Sequence, residues 1–169
     1  DAIENRDKNQ TKRIIFHHSA EKFNSTNIED CKEEIQRIQI EHFERDFADI
    51  GYHYIIDPFG RIWEGRSIQY KGSHATSYNH DIGVLVLGDF EPRALNFWSP
   101  NELNNYQKNA MIQISKWLCY AHDLAFIATG TKIAPISMHY IVNDTDCPGD
   151  NMITWINESL QPTIVAWRT

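Results

Sequence analysis

Two short apolar segments constrain the fold of this chain more than any other feature of its sequence. Residues 82–87 read Ile-Gly-Val-Leu-Val-Leu without a polar interruption, which is typical of a strand covered on both faces. Residues 13–18 form a β-branched and aromatic run that predicts another central strand. Segments with helical periodicity lie between and after these strands. The sequence therefore predicts an α/β fold with a central mixed β-sheet flanked by about three helices.

Helix-start signals and turns divide the rest of the chain. Ser25-Thr26-Asn27 supplies cap chemistry for a first helix, and residues 151–160 predict a last one. Between them, Ser99-Pro100-Asn101-Glu102 is a capping box that opens a long helix. Asp57-Pro58-Phe59-Gly60 predicts the turn of a hairpin, and residues 132–139 predict a strand ending at His139. The buried stripe of the long helix is expected to comprise Leu103, Tyr106, Ala110, Ile114, Trp117, Leu118 and Ala121.

The length and the net charge of the chain limit its domain organisation and the classes of function that it can have. The chain of 169 residues is long enough for one domain, which we assign to residues 13–169, after a polar tail or linker at residues 1–12. We expect a processed form or a domain cut from a longer protein, because no initiator Met or apolar leader is present. A net charge of −7 argues against a nucleic-acid partner, and the apolar runs are too short for a transmembrane segment. We expect a monomer.

One histidine and one cysteine carry the clearest chemical signal. His139 ends a predicted strand, and Cys147 follows in a short loop that closes back on the strand end. Imidazole and thiolate together suit Zn²⁺, for which a third ligand has to come from elsewhere. His17 and His18 end the first strand, and alternation directs only one of them to the metal. The alternative is that the strand-end histidine and the lone cysteine are ordinary packed residues.

Six motifs follow one another in an order that favours a metal site over ordinary packed residues. Together they resemble the zinc-dependent N-acetylmuramoyl-L-alanine amidases, the family of peptidoglycan-recognition proteins and phage amidase lysozymes, over about residues 13–160. The motifs are Phe16 to Ala20, Asp49 to Tyr54, Gly60 to Arg66, Gly72 to Ala75, Tyr78-Asn79 with Ile82 to Val84, and His139 to Gly149.

The resemblance implies a site with one zinc ion and three protein ligands: His17, His139 and Cys147. It also implies catalytic roles for Tyr52 and Thr145, although a threonine before Cys-Pro-Gly can instead bond its own backbone. Candidates for the substrate groove are His42, His74, Asn79, Trp63 and Arg66; of these, Trp63 can equally be a core residue and Arg66 a solvated one.

At two positions this chain differs from other members of the wider superfamily. Cytoplasmic recycling amidases carry a glutamate in the strand where this chain has Leu85, so no strand carboxylate is available as a general base. Cys31 lacks the nearby partner that animal recognition proteins use for a disulfide, so a bond to Cys119 and two free thiols both stay open.

Three functions stay open at this point. The favoured one is hydrolysis of the amide between the lactyl group of N-acetylmuramic acid and L-alanine of peptidoglycan, by a protein located outside the cell or in the periplasm. The second is a non-catalytic module that binds muropeptides; Cys147 and Tyr52 argue for catalysis, because binding-only relatives commonly lack the cysteine. The third, a structural zinc site, is disfavoured because such sites normally use four protein ligands.

Overall fold

The centre of the protein is a five-stranded mixed sheet. The computed structural model describes residues 3–92, 100–129 and 131–168. Its strands, in chain order, are β1 (Ile14–His18), β2 (Tyr54–Ile56), β3 (Ile62–Glu64), β4 (Ile82–Val86), β5 (Ile127–Thr129), β6 (Thr131–Ile133) and β7 (Ile136–Met138). The main sheet has the order β3-β2-β4-β1-β7, in which only β3 is antiparallel to its neighbour. Strands β5 and β6 form a separate two-stranded sheet.

Helices cover both faces of this sheet, which confirms the predicted α/β architecture. Alternate strand residues such as Phe16 and Val84 face a large core that contains α2 and the C-terminal helices, whereas Leu85 and Leu87 face α1. Both central strands are buried throughout, as their apolar sequences predict. The helices are α1 (Ile28–Glu44), α2 (Asn105–Ala121), α3 (His139–Val142), α4 (Asp150–Trp155) and α5 (Gln161–Arg168), with a π turn at Ile156–Leu160.

The two predicted helix starts have different outcomes. The first is confirmed, because the side chain of Asn27 accepts hydrogen bonds from the main-chain N–H groups of Glu29 and Asp30. The predicted start of α2 is wrong, because the capping box of this helix is formed by Asn104 and Gln107 and not by residues 99–102. Residues 100–104 precede the helix without regular structure, and the Asn101 side chain accepts a bond from the N–H of Asp89. Ser99 lies outside the described residues.

The stripe predicted for α2 is only partly correct. Ala110, Ile114 and Leu118 are buried, and so is Leu103 ahead of the helix. Tyr106 and Trp117 are 58% and 51% exposed, because each packs only one part of its ring, against Phe59 and Tyr54 respectively. Ala121 is also exposed, whereas the missed stripe residues are Gln107, Met111, Ser115 and Cys119.

Two predictions near the C-terminus need correction. The strand expected over residues 132–139 is divided between β6 and β7, because Pro135 interrupts it and its carbonyl accepts a bond from the N–H of Ile14 at the start of β1. His139 consequently begins α3 instead of ending a strand. The last helix does not end at Leu160 but continues through the π turn to Arg168.

The polar N-terminal segment is packed against the domain. Arg6 and Thr11 are buried, and Arg6 donates to the carbonyl of Ile68 at 2.7 Å. The hydroxyl of Thr11 donates to the carbonyl of His80 at 2.8 Å. Arg6 and Thr11 are therefore held against the domain by these bonds, while the assignment of residues 1–12 as a polar tail or linker and the domain boundary at residue 13 stay predictions.

A buried histidine joins the sheet to the loop at residues 66–81. His53 accepts a bond from the N–H of Gly83 through Nδ1 and lies 2.9 Å from the carbonyl of Tyr70 through Nε2, so Nε2 carries the proton. Its side chain is fully buried, and burial lowers its pKa to about 4. Protonation of Nδ1 would break the bond from Gly83.

Acid is expected to destabilise the zinc-free protein through this group. The unfolded state takes up a proton near the reference pKa of about 6.5, whereas folded His53 does so only near pH 4. His53 therefore stabilises the fold above pH 6.5, and this contribution is lost as the pH falls towards 4. In urea unfolding with a chelator present, His53→Gln should lower the slope of unfolding free energy against pH by up to about 1.4 kcal/mol per unit between pH 6 and 4.5. An unchanged slope would contradict this account.

Candidate metal centre

Three side chains converge at one edge of the main sheet. His17, His139 and Cys147 each place one ligand atom so that these atoms all lie within 4.8 Å of one another. His17 Nδ1 is 3.7 Å from Cys147 Sγ, and the rings of His17 and His139 have centroids 4.5 Å apart. In the part of the chain that the structure describes, no other group of at least three such residues meets this criterion.

Parallel strand pairing produces this convergence. β1 pairs with β7 in the register Phe16 to Met138, so His17 and His139 follow at the same edge. The carboxyl ends of parallel strands are where open α/β sheets bind their ligands. Alternation turns His18 to the other face, where its Nδ1 accepts a bond from the N–H of Phe90.

The loop after α3 returns the cysteine to the two histidines. The N–H of Tyr140 donates to the carbonyl of Cys147 at 2.9 Å, which closes the loop. Gly149 ends the turn with a φ of +89°, and a Cβ there would lie 2.5 Å from the main chain of Phe90. A glycine is therefore required at this position for both its conformation and its size.

The charges of the three candidate ligands depend on their burial. Burial lowers the pKa values of His17 and His139, which keeps both imidazoles neutral and able to coordinate. Burial raises the pKa of the Cys147 thiol to about 12, so this group would lose its proton on binding a cation.

The donor set fits a zinc ion. Ligand atoms of a tetrahedral zinc site lie about 3.4–3.8 Å apart, which agrees with the 3.7 Å between His17 Nδ1 and Cys147 Sγ. Two imidazoles and one thiolate leave one coordination position open, as catalytic zinc sites do.

The two candidate catalytic residues lie beside this cluster. The ring centroid of Tyr52 is 5.1 Å from that of His17, and burial raises the pKa of its hydroxyl, which therefore stays protonated as a donor. The Thr145 hydroxyl oxygen accepts a bond from the N–H of Cys147 at 3.3 Å. This is the backbone bond expected as the alternative role of Thr145; the hydroxyl proton is not used in it.

A cleft of about 560 Å³ opens next to the candidate ligands. His74, Asn79 and Thr145 line it, as does His139 from the ligand cluster. The remaining lining residues are Arg45, Phe47, Ser73, Ala75, Thr76, Asn143 and Asp144.

Three predicted groove residues do not line this cleft. His42 accepts a bond from the N–H of Gly51 and, with Tyr52, lines a separate cavity of about 130 Å³. Trp63 packs at the edge of the core beneath α1 and donates to the Asp57 carboxylate at 2.8 Å. Arg66 is 2% exposed, because its guanidinium donates to carbonyls that include those of Asp49, Ile50 and Lys71.

The two predicted groove residues that do line the cleft also organise its wall. Asn79 accepts bonds from the N–H groups of His74 and Ala75, both at 2.8 Å. His74 Nδ1 lies 3.0 Å from His17 Nε2, and His74 Nε2 lies 3.1 Å from the carbonyl oxygen of Asp81.

Sequence reasoning missed several residues of the cleft wall. Arg45 and Phe47 come directly after α1, and the guanidinium of Arg45 lies over the Phe47 ring at 5.0 Å. Their position just before Gly51-Tyr52 was the available signal. Asn143 and Asp144 were also missed, although they occupy the loop between His139 and Cys147.

Comparisons with known proteins find a matching family model, similar relatives and similar folds. A family model described as N-acetylmuramoyl-L-alanine amidase matches residues 7–150. Peptidoglycan-recognition protein SC2 of Drosophila melanogaster is 28% identical over 152 residues, which covers 85% of this chain and 73% of that protein. None of the described helices combines the length and apolar character needed to cross a membrane.

Two solved structures show the same fold. That of N-acetylmuramoyl-L-alanine amidase LysC from Clostridium intestinale matches with a TM-score of 0.67 at 24% identity, covering 89% of this chain and 83% of LysC. A mutant of Drosophila recognition protein LB, solved in complex with tracheal cytotoxin, matches with a TM-score of 0.73 at 24% identity, covering 95% and 87%.

Removal of one candidate ligand should abolish tight zinc binding. We expect the wild-type protein to bind one equivalent of zinc, and Cys147→Ser to weaken binding by more than the roughly 10- to 100-fold typical of changes around a metal site. Titration calorimetry and metal analysis measure this, and circular dichroism checks the fold. Cys31→Ser is the matched control, because Cys31 already contacts polar partners and lies outside the cluster. Equal zinc affinity of wild type and Cys147→Ser would refute the ligand assignment.

Proposed function

Because the chain belongs to the N-acetylmuramoyl-L-alanine amidase family, we propose that it is a zinc-dependent hydrolase of peptidoglycan. The bond cleaved is the amide between the lactyl group of N-acetylmuramic acid and L-alanine of the stem peptide. The single observation that carries this proposal is the convergence of His17, His139 and Cys147 beside an open cleft.

The position of His139 supports hydrolysis over a purely structural metal site. His139 belongs both to the ligand cluster and to the cleft wall, so a cation held by the cluster would lie next to the cleft. A bound zinc ion would supply a Lewis acid for the scissile carbonyl and lower the pKa of coordinated water. Leu85, which pairs with His17 across β1 and β4, is buried and apolar and contributes no general base.

Tyr52 is the main candidate for transition-state stabilisation. As the amide carbon becomes tetrahedral, its oxygen gains negative charge, and a protonated hydroxyl beside it can donate a hydrogen bond. Tyr52 has a protonated hydroxyl, and its ring lies beside that of His17. Thr145 is the second candidate: its oxygen accepts a bond from Cys147, which orients the hydroxyl proton elsewhere, and the residue lines the cleft.

The chemistry of the cleft supports an extended peptide as substrate. Its wall combines amides from Asn79 and Asn143, the Arg45 guanidinium and the Phe47 ring, groups that can pair with amides, carboxylates and short apolar side chains. The related LB structure contains tracheal cytotoxin, and we propose a muropeptide as ligand of the equivalent cleft here. We propose that the protein acts outside the cell or in the periplasm, where it can reach peptidoglycan.

Digestion of purified sacculi tests this proposal. The zinc-loaded protein should release stem peptides with a new free amino group on L-alanine and leave glycan strands without new reducing ends, as measured by mass spectrometry. Tyr52→Phe should reduce turnover by about 10²–10³-fold with unchanged zinc affinity. Tyr106→Phe is the matched control, because Tyr106 is exposed on α2 and lies outside the cleft.

Two outcomes of this experiment would overturn the proposal. New reducing ends without free alanine amines would identify a glycosidase. Tight binding of muropeptides without any cleavage by the zinc-loaded protein would support the alternative, a non-catalytic recognition module.

A further inference from the structure

His74 lies between one candidate ligand and the main sheet. It belongs to the loop at residues 66–81 and is 7% exposed. One ring nitrogen, Nδ1, lies 3.0 Å from Nε2 of His17, and the other, Nε2, lies 3.1 Å from the carbonyl oxygen of Asp81. The two bonds form a continuous path from a metal-ligand candidate to a main-chain carbonyl, which we name the imidazole chain (His17, His74 and the Asp81 carbonyl).

The chemistry of its last member fixes the protons along this chain. A carbonyl oxygen only accepts, so Nε2 of His74 carries a proton and donates it to Asp81. In a neutral imidazole the other nitrogen, Nδ1, is then an acceptor, so His17 donates through Nε2. The lone pair of His17 is thereby left on Nδ1, the atom that faces Cys147 Sγ at 3.7 Å.

We propose that His74 is a positioning residue of the metal centre, which fixes the tautomer and the ring orientation of His17 through its bond to the Asp81 carbonyl. Ligating histidines commonly donate their second nitrogen to a carboxylate or a carbonyl. Here the His74 imidazole is the acceptor, and its own bond to the Asp81 carbonyl fixes its position against the sheet. This inference rests on the proposed function and gives His74 a role other than substrate binding.

Glycine residues make the space that the His74 ring occupies. A Cβ at Gly83 of β4 would lie 2.5 Å from Cδ2, 2.6 Å from Cγ and 2.8 Å from Nε2 of His74, so the ring lies flat against the strand at this position. A Cβ at Gly72 would lie 2.5 Å from Cδ2 of the same ring. Any side chain at position 83 would therefore displace the whole imidazole.

The far end of the imidazole chain is anchored to the strand that carries His17. The Asp81 carboxylate accepts bonds from the N–H groups of Lys12 and Arg13, at 2.7 and 3.1 Å, and pairs with the Arg13 guanidinium at 2.8 Å. Residue 13 directly precedes β1, which pairs with β4. His17 and the Asp81 carbonyl thus belong to one paired unit of the sheet, and His74 spans it.

The tautomer of His17 can be read directly in the zinc-free wild-type protein. Long-range ¹⁵N–¹H correlation spectra of ¹⁵N-histidine-labelled protein should show His17 and His74 both protonated at Nε2 and unprotonated at Nδ1. Zinc should then shift Nδ1 of His17. A His17 protonated at Nδ1 in the zinc-free protein would overturn the proposal without any variant.

Three variants test the consequence for zinc affinity. His74→Ala should weaken zinc binding about 10- to 100-fold and allow both tautomers of His17. His74→Asn should recover part of the lost zinc affinity, because the amide oxygen of the asparagine can replace Nδ1 of His74 as the acceptor. Gly83→Ala should weaken binding although all three ligands and His74 are present, and it keeps the test open if His74→Ala does not fold.

The control variant and the wild type separate this inference from its alternatives. His80→Ala removes a histidine of the same loop whose Nδ1 bonds the N–H of Asp7 and should leave zinc affinity unchanged. An equal loss in His80→Ala and His74→Ala would show general loosening of the loop and overturn the proposal, as would wild-type affinity in His74→Ala. Wild-type protein that binds zinc but leaves sacculi intact overturns the proposed function alone.

Discussion

The parallel pairing of β1 with β7 is the constraint on which the candidate site depends. It aligns the carboxyl ends of two strands that are far apart in sequence, so that His17, the penultimate residue of β1, lies beside His139, which directly follows β7. The adjacent pairing of β1 with β4 adds the second support, because it places Gly83 and Asp81 where His74 can lie against the sheet. The site is therefore built on the most buried part of the protein, and only the loop with Cys147 has to fold back to complete it.

Histidines serve several distinct purposes in this fold. His17 and His139 contribute to the ligand cluster, whereas His42 and His53 use ring nitrogens to accept bonds from main-chain N–H groups. His74 contacts one of the ligands and a carbonyl. Burial lowers the pKa values of all five, which favours their neutral forms, so we expect the same packing that leaves lone pairs available for a cation to make the fold sensitive to acid.

Much of this arrangement could be predicted from the sequence. The apolar runs and the helical periodicity were enough to predict the α/β architecture, because a strand that is buried on both faces consists almost entirely of apolar residues. The start of α2 was misplaced because Ser99 to Glu102 and Asn104 to Gln107 both have the residue types of a capping box, and the structure uses the second one. The sequence left Trp63 open between core and groove and did not predict the burial of Arg66, because their partners, Asp57 and the carbonyls near residue 50, meet them only through the hairpin and the loop after it. The bond between His17 and His74 spans 57 residues, so no local pattern reveals it.

The proposed centre consists of two imidazole nitrogens and one thiolate sulfur around a single zinc ion, with one coordination position left free. X-ray absorption at the zinc edge of the loaded protein measures that shell directly. We expect one sulfur at about 2.3 Å and two imidazole nitrogens at about 2.0–2.1 Å, completed by a light atom from solvent. A first shell without sulfur, or one filled by four protein ligands, would contradict the proposed centre.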